Sequence, residues 1–404
     1  MPRTSKRGTA LDHSPIRGLM PYARSAAAAG RSVFYLNIGQ PDIPTPPQAL
    51  AYLRSQSETI IKYGPSEGLT LLRQQVINYY RRFDAQLAMD EVYVTTGASE
   101  AIHLALFACC DPGDELIIPE PFYANYLGFS HISSVNIVPV TTCLEEQFGL
   151  PAPEAFEACI TARSRAILLC NPGNPTGQLY NRKDLLTLLE VVKKHDLFLI
   201  VDEVYKEFCY DEDFTSVLSF AEYREHVIVL DSISKVFSSC GARVGFLISG
   251  NEEIQETVCK QAQLRLCPPH FGQQLAIACF EHGRGYIDEA IEEYRHRREV
   301  LYRALQQIEG LGCYRPAAAF YNMVSLPVAD ATDFCRWLLT DFEHHGKTLM
   351  LAPAEGFYFN RELGKQQVRV AYILKEQDLL AAVDCLKLAL ERYPVALTSA
   401  QRSS

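Results

Sequence analysis

Between residues 99 and 249 the chain alternates short apolar runs with longer stretches of helical spacing, a pattern that few folds accommodate. ELIIPE, VNIVPV, RAILLC, LFLIVDE, HVIVLDS and RVGFLIS are rich in β-branched residues, and several lack the polar alternation of a half-exposed strand. SEAIHLALFACC, RKDLLTLLEVVKKHD and FAEYREH, lying among them, carry the helical spacing. Alternation of this kind predicts an α/β domain built on a mostly parallel sheet buried between helices.

Beyond residue 284 the pattern changes. A long charged helix, GYIDEAIEEYRHRREVLYRALQQIEG, precedes AFYNMVSLP, a helix around DATDFCRWLLTDFEHHG, a strand in QVRVAYIL and a last helix in KEQDLLAAVDCLKLALERY. These read as a second, smaller α+β domain, and 404 residues are enough for two. The N-terminal residues, with a helical AAAAG piece and the turn-rich GQPDIPTPP, are expected to pack on it. The division is therefore 44–290 for the large domain and 1–43 with 291–404 for the small one. The tail after Pro394 has the composition of a disordered end.

A formal net charge of -10 argues against nucleic acid or an anionic membrane as the main partner. No apolar run approaches the roughly 20 residues of a membrane span. The basic MPRTSKRGTALDHS has no apolar segment behind it, so no secretory signal is expected. The thirteen cysteines are scattered, without a CxxC pair or a Cys/His cluster at metal-ligand spacing, and read as core residues of a reduced, cytoplasmic protein.

In open α/β sheets the chemistry gathers just past the carboxyl ends of the strands, and the unusual segments of this chain fall there. NPGNPTG follows RAILLC, DEVY closes LFLIVDE, and DSISKVFSSCGARVG follows HVIVL. Lys235, directly after a buried strand, is placed to react as an amine, and Ser232, Ser234 and Arg243 around it suit a phosphate dianion. A solvated loop is the plain alternative. A lysine imine beside an anchored phosphate points to pyridoxal phosphate, whose ring nitrogen needs a buried carboxylate. Asp202 is such a group, and Tyr205 and Asn174 could bond the ring's phenolate oxygen. Gly97, Ala98 and Ser99 open a helix whose N-terminus suits an anion. Tyr123 could stack on the ring. Taken singly, Asp202 could be a helix cap, NPGNPTG a turn, Ser99 an N-cap and Tyr123 core.

Together NPGNPTG, DEVY, SISK with Arg243 eight residues on, and VRVAY resemble the class I aminotransferases, the fold type I pyridoxal-phosphate enzymes related to aspartate aminotransferase. The resemblance runs from LNIGQPD at residue 36 to the C-terminal helix, and GQPD and KYGPSEG support it. It implies a seven-stranded sheet and a homodimer with amino acid and 2-oxo acid substrates. Lys235 would form the internal aldimine and shuttle the proton. Asp202 would hold the pyridinium, with Tyr205 and Asn174 on the phenolate oxygen and Tyr123 on the ring. Ala98, Ser99, Ser232, Ser234 and Arg243 would bind the phosphate, and Tyr63 would reach it from the partner subunit. Arg369 would anchor the substrate α-carboxylate, and Gly39 would close over the substrate.

The resemblance implies a ping-pong transaminase, with aspartate or a broad, aromatic-leaning range as donor and 2-oxoglutarate as acceptor. A β-lyase of the cysteine-conjugate type and a non-catalytic regulatory protein on the same scaffold remain the alternatives. No motif supplies a second basic residue for a distal carboxylate. The segments expected to line the specificity pocket, residues 16–22 and AEGFYF at 354–359, are largely apolar and aromatic.

Overall fold

A computed structural model of the chain describes residues 2–11, 14 and 16–394; the tail expected to be disordered lies outside them. Twelve strands are described. They are β1 (Ser32–Tyr35), β2 (Val92–Thr95), β3 (Glu115–Glu120), β4 (Asn136–Thr141), β5 (Ser164–Cys170), β6 (Phe198–Asp202), β7 (Val227–Ser232), β8 (Gly245–Ser249), β9 (Tyr321–Ser325), β10 (Lys347–Met350), β11 (Ala352–Pro353) and β12 (Gln367–Ala371).

Seven of these form one sheet in the order β2-β8-β7-β6-β5-β3-β4. β8 runs antiparallel to β2 and β7, while the remaining pairs are parallel. The apolar runs sort by the period-two pleat into two cores. Ile117, Ile167, Leu169, Leu199 and Val201 face one layer of helices, and Leu116, Ile118, Ala166, Leu168 and Ile200 face the other. Burial on both faces removes the need for polar alternation, which is why these strands read as continuous apolar runs.

Three points of the sequence reading need correction. VYVT at residues 92–95 is a strand at the edge of the sheet that the sequence pattern does not single out. FAEYREH forms a short 3-10 turn over Ala221–His226, too brief for an α-helix before β7 begins. The long charged helix spans Arg284–Leu305, stopping short of residue 310.

The C-terminal part carries an antiparallel sheet in the order β11-β12-β9 and a parallel pair, β1 with β10. That pair ties the N-terminal segment to the C-terminal part. The helices Arg284–Leu305 and Glu376–Arg392 pack together, and one core cluster runs from Leu19 and Leu36 through Phe320 and Leu338 to Leu386.

Candidate active site

The carboxyl ends of β3, β5, β6 and β7, the start of the helix Ala98–Cys109 and the middle of β12 converge on a cavity of about 630 Å³. It is lined by Gly39, Ala98, Ser99, Tyr123, Asn174, Asp202, Tyr205, Ser232, Ser234, Lys235, Arg243 and Arg369. Every expected site residue is therefore brought together except Tyr63, which lies on the surface of its own chain with 79% of its area exposed.

Asp202 ends β6 as a nearly buried carboxylate. It accepts a 2.8 Å hydrogen bond from the Tyr126 hydroxyl and a 3.3 Å bond from the Val204 amide. Burial pushes its carboxyl up to about 6, against those two donors, which favour the anion. A buried carboxylate held by neutral donors and facing a cavity suits a cationic ring nitrogen. Tyr205 bonds the Tyr321 hydroxyl at 2.8 Å, and burial raises its phenol well above the ordinary range. Tyr123 accepts a 2.7 Å bond from the Asn125 side chain, and burial pushes its phenol up to about 12.

Past β7 the chain makes the one-turn helix Ile233–Val236, with Ser232 accepting from the Ser234 amide as its cap. The two serine hydroxyls bond each other at 2.7 Å. Arg243, at φ 54°, folds back so that its guanidinium donates to the Cys240 carbonyl at 3.0 Å and the Thr96 carbonyl at 3.4 Å. That return depends on Gly245. A Cβ there would lie 2.4 Å from the Gly97 carbonyl carbon and 2.6 Å from the Ala98 nitrogen, so only glycine lets β8 press against the helix start. Ser99 stands inside this helix, whose N-cap is Gly97.

The Lys235 ammonium donates to the Gly39 carbonyl at 2.8 Å and lies 3.9 Å from the Cys240 sulfur. Gly39 is itself wedged against the site, since a Cβ would fall 1.7 Å from the Tyr321 hydroxyl. Arg369, which lines the same cavity, is 1% exposed. Its guanidinium donates to the Asn174 side-chain oxygen at 2.8 Å and the Asn37 carbonyl at 2.5 Å, and its Nε has no partner. Tyr321 and Phe357 cover it at 4.4 and 4.8 Å. Burial depresses its pKa, because only neutral oxygens compensate the cation among the described residues. A buried guanidinium without a carboxylate is a ready anion anchor. With Asp202, Lys235 and the Arg243 cradle, this donor set fits pyridoxal phosphate together with a carboxylate-bearing substrate.

Sequence reasoning missed Tyr126 and Tyr321. The repeat of tyrosine in PFYANY was a signal for the first; the second depends on strand pairing, with Ala371 opposite Tyr321 and Arg369 opposite Met323 on the same face. Of the segments expected to line the specificity pocket, Ile16 and Arg17 line the cavity. AEGFYF does not. Glu355, Gly356, Tyr358 and Phe359 border a neighbouring groove of about 880 Å³, and Phe357 packs on Arg369 instead.

Residues 31–386 match the family model described as aminotransferase class I and II. An aspartate aminotransferase of Sulfurisphaera tokodaii is 30% identical over 89% of this chain and 90% of its own length. The structure of an alanine aminotransferase from Pyrococcus furiosus superposes with a TM-score of 0.89 and 30% identity, covering 96% of this chain and 100% of that one. An aromatic aminotransferase from Pyrococcus horikoshii superposes with a TM-score of 0.82 at 26% identity, covering 91% of this chain and 98% of that one.

Proposed function

This chain belongs to the class I and II aminotransferases, and from that premise we propose that its cavity exchanges amino groups between a dicarboxylic amino acid, aspartate or glutamate, and a 2-oxo acid. Membership makes it a transaminase that uses pyridoxal phosphate. The observation that carries the choice of substrate is a further cation in the cavity besides Lys235, Arg243 and Arg369: Arg17 lines it too, and Tyr123 feels the charges of both Arg17 and Arg369. With an α-carboxylate on Arg369, Arg17 is positioned to attract a distal one. With aspartate as donor, the acceptor in this reading is 2-oxoglutarate.

Pyridoxal phosphate supplies an electron sink for the bond-making and bond-breaking at the substrate Cα. Lys235 carries the reactive amine and moves the proton to and from Cα with its Nζ. Asp202, whose ionised form Tyr126 and the Val204 amide favour, would hold the proton on the ring nitrogen. Tyr205 and Asn174 would bond the phenolate oxygen, and Tyr123 would cover the ring. Ala98 and Ser99 at the helix start, with Ser232, Ser234 and Arg243, would bind the phosphate through backbone dipole, hydroxyls and guanidinium. Gly39 brings the N-terminal segment over the substrate and excludes water.

We assign 44–290 as the large domain and 1–43 with 291–404 as the small one, joined by the helix Arg284–Leu305. Two copies pair, with Tyr63 of each reaching the other's phosphate. Support comes from an exposed apolar face: Ile60, Ile61 and Tyr63 lie beside Leu264, Leu266 and Phe271, joined by the Arg265 bond to the Ser66 carbonyl and the His270–Glu58 contact. All thirteen cysteines are free, in keeping with a cytoplasmic enzyme. Among the described residues no helix is long and apolar enough to cross a membrane.

The test is a donor panel with 2-oxoglutarate as acceptor, followed by isotope transfer from labelled amino acid to product. Aspartate should be preferred over phenylalanine, and Arg17→Gln should lower kcat/KM for aspartate alone, by about tenfold. Equal loss for both donors would remove Arg17 from substrate recognition. Pyruvate and ammonia released without amino transfer would show a lyase instead.

A further inference from the structure

Behind the cofactor-facing end of the sheet lies a charged pair that no step above employs. Lys206 and Asp231 are each 2% exposed, and the lysine ammonium meets an Asp231 oxygen at 2.5 Å. The ammonium also sits 5.0 and 5.2 Å from the ring centroids of Tyr79 and Tyr80, and the Tyr80 hydroxyl donates to the same Asp231 oxygen at 3.1 Å. The other Asp231 oxygen accepts the Ser232 amide at 2.7 Å. Asp202 pairs with Leu230 across β6 and β7, so the next residue, Asp231, points to the opposite face of the sheet.

We propose that the Lys206–Asp231 ion pair is a positioning element of the active site, locking the ends of β6 and β7 together and balancing the charge behind Asp202. Lys206 belongs to the turn that follows Asp202 and carries Tyr205; Asp231 holds the amide of Ser232, which opens the turn carrying Ser234 and Lys235. The pair thus spans both halves of the cofactor-facing wall. A buried ion pair is a poor source of stability, since apolar residues of similar volume commonly serve at least as well. What this one supplies is geometry and charge. The titratable and charged groups around Asp202 are Tyr126 and Tyr123 from the β3 side, Cys170 from β5, Lys206 and Asp231 behind, and Tyr205, Lys235 and Arg369 in the cavity. Of the two behind it, Lys206 favours the ionised carboxylate and Asp231 opposes it.

The proposal rests on Asp202 facing the ring nitrogen, and its test is binding of pyridoxamine phosphate to the cofactor-free full chain across pH, read by protein fluorescence. This probe forms no imine with Lys235, and its own phosphate titration is common to every variant. Lys206→Met leaves Asp231 uncompensated, so Asp202 takes up its proton at higher pH and the acid limb of affinity moves up. Asp231→Asn removes the opposing charge and moves the limb down. Each shift should be about half a pH unit, roughly threefold in affinity on the limb. Lys206→Arg should leave the limb at its wild-type position. Limbs that coincide in all variants, or that move the same way in both, overturn the proposal even where thermal stability falls. If Lys206→Met does not fold, the direction of the Asp231→Asn shift decides alone. Should Asp202→Asn bind the probe as tightly as wild type at every pH, the assignment of Asp202 to the ring nitrogen fails instead.

Discussion

Arg369 and Asn174, 195 positions apart in sequence, are joined by a 2.8 Å hydrogen bond from the guanidinium to the side-chain oxygen. Arg369 lies in the middle of β12 and Asn174 follows β5, so the bond ties the small antiparallel sheet to the end of the seven-stranded one. It also orients the amide, turning the Asn174 oxygen to Arg369 and leaving its NH2 as the donor for the cavity. Arg369→Lys loses the planar fork and both fixed partners. The expected result is a rise in KM for amino acid and oxo acid alike, about 100-fold in kcat/KM, or some 2–3 kcal/mol. Steady-state kinetics with both substrates checks it, and an unchanged KM would remove Arg369 from the anchor role.

Tyr126 bonds Asp202 and so favours its ionised form, opposing the burial that lifts the carboxyl to about 6. Tyr126→Phe deletes that donor and moves Asp202 further up. Because the anion is the working form, activity present at high pH is lost as pH falls through this value, and the loss should begin earlier in the variant. The acid limb of kcat/KM is expected to move up by about one pH unit, the equivalent of one hydrogen bond to a charged group. A limb that stays in place while kcat falls would assign Tyr126 to packing.

Legibility in the sequence followed the range of the interaction. Lys235, Ser232, Ser234 and Arg243 fall within twelve residues, where a strand end, a cap and a return turn leave a local pattern. Asp202 was legible because it closes an apolar run long enough to read as a buried strand, and Asn174 because its turn follows another such run. Tyr126 was not, since what distinguishes it from core is a carboxylate 76 positions away. Tyr321 owes its place to antiparallel register, which residue type does not encode. The four-residue strands β1, β2 and β10 are shorter than any periodic signal can resolve. Arg17 precedes a short alanine-rich helix, and nothing local marks it as lining a cavity built from distant strands. Tyr63, exposed on its own chain, has a role only in the proposed pairing of two copies.

The exposed face around Tyr63 makes a separable prediction about assembly. Ile60 and Leu264 are 70% and 86% exposed, unusual for aliphatic side chains in adjoining segments. A double Ile60→Glu and Leu264→Glu variant should sediment as a monomer and lose most cofactor affinity, because each site then lacks the partner's tyrosine. Tyr63→Phe should remain a dimer and weaken pyridoxal phosphate binding by about tenfold, the loss of one charge-assisted hydrogen bond. A monomeric wild type in sedimentation equilibrium would end this reading, and a Tyr63→Phe dimer with unaltered affinity would detach Tyr63 from the phosphate.

Glu203, next to Asp202 in sequence but on the far side of the sheet, gives a prediction for stability alone. It is wholly buried; the Ser216 hydroxyl lies 3.0 and 2.9 Å from its two oxygens, and the Val217 amide donates at 3.0 Å. Burial nevertheless dominates and pushes the carboxyl from its ordinary 4.5 up to about 8. The folded state therefore keeps a proton that the unfolded chain releases near 4.5, and the favourable contribution is complete below that value. It declines as pH rises from about 4.5 and is lost by about 8. Glu203→Gln stays neutral throughout and retains an oxygen for Ser216 and Val217. Thermal unfolding of the wild type should show Tm falling across this window, and the variant should fall less steeply and surpass it at pH 8. Parallel Tm profiles for the two proteins would show that Glu203 is ionised in the fold, with Lys206 and the Val217 amide outweighing burial.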